Sequence, residues 1–101
     1  MTVEELQEIF EKHMDEEYIQ FDRETSPMHS RLDICALLLL HELDQEKKPG
    51  RDMIVASRHD EIWFGADVRA VAEKATEEQI ITLIRCGVGF DADREFFFMS
   101  L

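Results

Sequence analysis

Basic residues are scarce in this chain: 11 Lys and Arg stand against 23 Asp and Glu, a formal net charge of −12. A surface that negative repels nucleic acid and anionic membranes, which argues against direct binding to either. Long apolar runs are missing too. The longest, ICALLLL at 34–40, falls well short of the roughly 20 residues that span a bilayer and suits a buried helix. The N-terminus, MTVEELQEIF, turns acidic at its fourth residue, against the pattern of a signal or transit peptide. Cysteine is nearly absent. Cys35 and Cys86 fall in helical patterns without metal-ligand spacing and read as reduced thiols of a cytoplasmic protein.

The familiar catalytic and ligand motifs are also wanting. His13, His29, His41 and His59 share no metal-ligand spacing and read as surface or helix-boundary residues. HELDQ at 41–45 begins like a zincin H-E-x-x-H, but Gln45 stands where the second histidine must be, so no metal is expected. GVG at 87–89 is too short for a phosphate loop, and no Lys follows it. DADREFF lacks the glycine and the terminal bidentate Glu of a calcium loop and reads as a hairpin turn. Ser26 and Ser57 have histidines nearby, but neither lies in a nucleophile elbow. Cys86 ends a helix, the wrong pole of the dipole for a thiolate, and reads as a packed thiol. No catalytic residue, cofactor or metal is assigned, and the chain reads as a non-enzyme.

What remains is a foldable chain. With 101 residues, 45% of them hydrophobic, it can bury one core, so residues 1–101 read as a single domain. Thr2–Glu5 is a T-x-x-E capping box. Val3, Leu6, Phe10 and Met14 share one stripe of the helix that follows, which is expected to end near Glu17 or Tyr18. Ser26 can cap a second helix with Pro27 in its first turn, running to about Glu46. The centre of this helix is apolar all round, which predicts the central element of the fold. MIVAS and EIWFG flank RHD as a β-hairpin. Pairing Arg58 with Glu61 would put Val55, Ile62 and Phe64 on one face, and Ile54, Ala56 and Trp63 on the other. Asp67 caps a short helix, and Thr76 opens a capping box with Gln79. Gly87 stops that last helix, and VGF and EFFFMS form a second hairpin. The order α-α-β-β-α-α-β-β predicts an α+β domain with one four-stranded antiparallel sheet packed against helices.

Two surfaces stand out. The first 24 residues hold nine acids against Lys12 and Arg23. Glu4, Glu8, Glu11 and Asp15 repeat on one helical face, where like charges four apart cost a few tenths of a kcal/mol each. Solvation explains such a face; a basic protein partner explains it more sharply, and these four residues are the candidate partner-binding set. The second surface is apolar. Phe97 and Met99 oppose Phe96 and Phe98 along the last strand, so both hairpins carry large apolar groups on both faces. That predicts self-association, most simply a twofold homodimer, through Trp63 with Phe96 or Phe97.

Residues 60–101, with TEEQIITLIRCGV followed by an aromatic hairpin, resemble small acidic proteins of unknown function encoded by phages and prophages. The resemblance implies a phage-type accessory protein or inhibitor and carries over no site residues. The leading expectation is a non-catalytic, acidic protein-interaction module. A small enzyme or ligand-binding domain whose site assembles only in three dimensions, and a purely structural homodimer, are the alternatives.

Overall fold

The computed structural model describes residues 1–17, 31–44, 52–58 and 60–100, with the side chains of 14–17 and 58 outside that set. Helix α1 spans Val3–Glu17. Its capping box forms as the sequence requires: the Thr2 N–H donates to Glu5 Oε1 and the Glu5 N–H to Thr2 Oγ1, both at 3.2 Å. Glu4 and Glu5 in the first turn suit the positive end of the helix dipole.

Helix α2 spans Leu32–Leu43. It ends before the expected Glu46, with Arg31 and Asp44, at its two ends, both extended. Ser26, Pro27 and Glu46 lie outside the described residues. Cys35, Ala36, Leu39, Leu40 and Leu43 are buried, while Leu38 is 40% exposed. The helix packs on α3 and α4, so it flanks the core and does not form its centre. An all-round apolar sequence did not mean all-round burial.

Strands β1 (Ile54–Arg58) and β2 (Glu61–Phe64) form the first hairpin, with Arg58 paired to Glu61. Helix α3 (Val68–Lys74) follows, and Asp67 caps it by accepting from the Ala70 N–H at 3.1 Å. Helix α4 (Glu77–Arg85) begins with the reciprocal Thr76–Gln79 capping box. It stops at Gly87, whose φ of 93° lies in the left-handed region that glycine enters at little cost. Strands β3 (Val88–Asp91) and β4 (Phe96–Ser100) complete a four-stranded antiparallel sheet in the order β1-β2-β4-β3.

That order accounts for the last strand. β4 is interior, bonded to β2 on one side and β3 on the other. Its inward residues, Phe97 and Met99, are 0% and 9% exposed. Phe97 meets Phe90 of β3 and Phe10 of α1, with ring centroids 5.5 and 6.0 Å apart, and Phe10 lies 5.7 Å from Phe90. These three rings join the sheet to the helical layer. α1 and α4 pack closely against each other and both reach β3. Leu6, Ile80, Leu83 and Ile84 are 0–1% exposed and belong to the same core. The result is one α+β domain, with a Cα radius of gyration of 12.4 Å, close to the value of about 13 Å for a single body of 100 residues.

Candidate functional site: the acidic helix face and the outer sheet face

The buried stripe of α1 fixes the orientation of its other side. Leu6 and Phe10 are 0% and 4% exposed, so Glu4, Glu8 and Glu11, on the opposite stripe, are held outward and exposed. Asp15 continues their register on the same helix; its side chain lies outside the described residues. None of the ion pairs among the described residues involves Glu4, Glu8 or Glu11. Glu11 accepts from Gln7 Nε2 at 3.0 Å, an i,i+4 bond along the helix surface. Where α1 meets α4, Glu5, Glu8 and Lys12 border a shallow groove with Glu77. His13 lies at this seam, 13% exposed, with Nε2 3.7 Å from Glu77 Oε1. It is therefore a largely buried residue between two helices, where its sequence context suggested a surface histidine.

The outer sheet face is built from one row of cross-strand partners, Ala56, Trp63, Phe98 and Gly89. The row explains itself physically. A Cβ on Gly89 would lie 2.5 Å from Phe98 Cζ, so only glycine lets the Phe98 ring fold flat onto the edge strand, an aromatic ring covering a strand glycine. Two residues earlier on β4, Phe96 packs on Trp63, with centroids 4.4 Å apart and planes tilted by 33°. The Trp63 indole N–H donates to Glu61 Oε2 at 3.2 Å, and the Arg94 guanidinium lies 5.5 Å from the indole centroid.

These aromatic residues are thus half-buried by one another. Trp63 and Phe96 come together within the chain. Phe97 does not join them: strand alternation turns it to the opposite face, where it is fully buried against Phe10 and Phe90. Its assignment to an intermolecular contact is corrected accordingly. The most exposed large apolar group on this side is Val55 of the edge strand β1, at 54%; Ile54, 47% exposed, lies on the other face. Their faces differ from the expected ones because a β-bulge lies between Ile54 and Ala56. One extra residue reverses the alternation, so Ile54 pairs with Phe64 and Val55 borders the Trp63 side.

Beside the Trp63–Phe96 pair is an open hollow of about 350 Å³, rimmed by Val55, Asp67, Arg69 and Glu95. Glu95 ends the β3–β4 turn with φ 55°, a left-handed conformation unusual for a side-chain-bearing residue. The turn is set up by Asp91, whose Oδ1 accepts from the Asp93 and Arg94 N–H groups at 3.0 and 3.1 Å. Behind the hollow, Asp44 is 8% exposed, and its Oδ2 accepts from the Asp67 N–H at 3.4 Å, tying the end of α2 to the start of α3. Arg69 and Glu95 carry no motif. Their convergence depends on β4 lying beside β2, which sequence spacing does not express.

Cys35 and Cys86 are free and buried. His41 and Glu42 of the zincin-like segment are exposed, and among the described residues no three of His, Cys, Asp and Glu gather into a metal-binding group. No described helix is long and apolar enough to cross a membrane. No family model matches the chain, and neither a curated protein nor a solved structure matches it.

Proposed function

We propose that the protein is a non-catalytic interaction module that offers the acidic face of α1 to a basic protein partner. The observation that supports this is the outward, unneutralised stripe of Glu4, Glu8 and Glu11 on a helix whose other stripe is locked in the core. Those like charges repel one another along the helix, and only Glu4, in the first turn, gains from the helix dipole. A rigid row of carboxylates suits a partner that presents lysines and arginines, by steering its approach and fixing its orientation. In its finer form this is a cytoplasmic accessory protein or inhibitor of phage type, occupying a surface that would otherwise hold nucleic acid.

Affinity capture from a cell lysate at about 0.1 M and about 1 M salt tests this, since the screening length falls from about 10 Å to about 3 Å. A partner retained only at low salt, and lost when Glu4, Glu8 and Glu11 are changed to Lys with helicity intact, supports the reading. A partner retained equally by that variant returns the face to solvation.

A second reading is a homodimer across the outer sheet face. It is favoured by Val55, exposed beside Trp63 and Phe96. Sedimentation at micromolar concentration decides it: a species of twice 11.9 kDa, reduced to a monomer by Val55→Glu, supports the dimer.

A further inference from the structure

The hollow beside Trp63 has the chemistry of a cation site. One wall is the Trp63–Phe96 pair, and the Trp63 N–H is already engaged by the Glu61 carboxylate. Donation to an anion enriches the indole ring and favours a positive charge over its face. Such a charge is present: Arg94 lies 5.5 Å from the ring centroid, inside the roughly 6 Å over which cation–π attraction operates. On the rim, the carboxylates of Asp67 and Glu95 outnumber the one cation, Arg69. Glu95 keeps its place there at a backbone cost, with φ 55° where glycine or asparagine would be at ease. A volume of about 350 Å³ is near the lower limit of ligand pockets, too small for a dinucleotide and adequate for one long side chain.

The geometry points to a receptor for a single arginine side chain of a basic partner, seated in the hollow against Trp63 and Glu95, with Arg94, over the indole but outside the hollow's lining, competing for the ring. Arginine fits better than lysine because its planar guanidinium stacks on an aromatic face while forking to a carboxylate. The site lies on the outer sheet face and does not depend on the acidic stripe of α1.

The chain has one tryptophan, so Trp63 reports directly. N-acetyl-arginine amide, titrated against dilute protein, is expected to shift the indole N–H resonance saturably. The neutral isostere N-acetyl-citrulline amide should not. Arg94→Ala removes the competitor for the indole and should lower the midpoint about 3–10-fold, as expected when a larger fraction of sites is competent. Glu95→Gln should raise it, and the Glu4, Glu8 and Glu11 to Lys variant should leave it unchanged. Equal shifts from both probes overturn the proposal, as does the absence of a saturable shift in Arg94→Ala. So does an indole shift that follows protein concentration alone, which would seat a second copy of the chain on this face.

Discussion

The two faces of the sheet use the same kind of residue for different ends. On the inner face, Phe97 and Phe90 meet Phe10 across a layer boundary, and Phe97 is wholly buried. On the outer face, Trp63, Phe96 and Phe98 lie on one another and on Gly89, half-exposed, with Arg94 and Glu61 attached to the indole. The inner rings connect elements distant in sequence, so their loss should break the fold. The outer rings connect neighbouring strands, so their loss should alter a surface. Aromatic content alone therefore says little about where a β-sheet protein stores its stability; the partners of each ring decide it.

Phe10→Ala should have the largest effect, about 3–5 kcal/mol lost, because it removes the helical member of the inner cluster and leaves a cavity. Urea denaturation measures it, and a loss under about 1 kcal/mol would break the distinction between the faces. Gly89→Ala should cost about 1–3 kcal/mol, since its new Cβ would collide with the Phe98 ring and push it off the sheet. The same denaturation experiment shows this, with a change in the near-ultraviolet aromatic signal. Glu95→Gly should stabilise by about 0.5–1 kcal/mol by relieving the left-handed backbone. It should also weaken the arginine probe, separating stability from binding on the outer face.

Local chemistry was the legible part of this molecule. Thr2 with Glu5, Thr76 with Gln79, Asp67 and Gly87 mark their helix ends because each signal acts over three or four residues. Alternation along β4 separated Phe97 from Phe96 correctly, and Arg58 does pair with Glu61. What could not be read was set at longer range. The β2–β4 pairing brings Trp63 to Phe96 and opens the hollow, and neither local pattern nor turn chemistry specifies it. The bulge at Val55 changed faces without leaving a glycine or proline as a marker. The position of α2 also escaped, because an apolar surface does not state how many neighbours will cover it. On α1 the outward placing of Glu4, Glu8 and Glu11 was legible, since burial of Leu6 and Phe10 dictates where they point.

The most direct test of the two-face account is a side-by-side denaturation of Phe97→Ala and Phe96→Ala. The two are adjacent on one strand and differ only in the face they occupy. Phe97→Ala is expected to lose about 3–5 kcal/mol. Phe96→Ala should lose about 1–2 kcal/mol, chiefly its pairing with Trp63, while shifting the Trp63 emission. Equal losses, or a larger loss for Phe96→Ala, would contradict a core confined to the inner face.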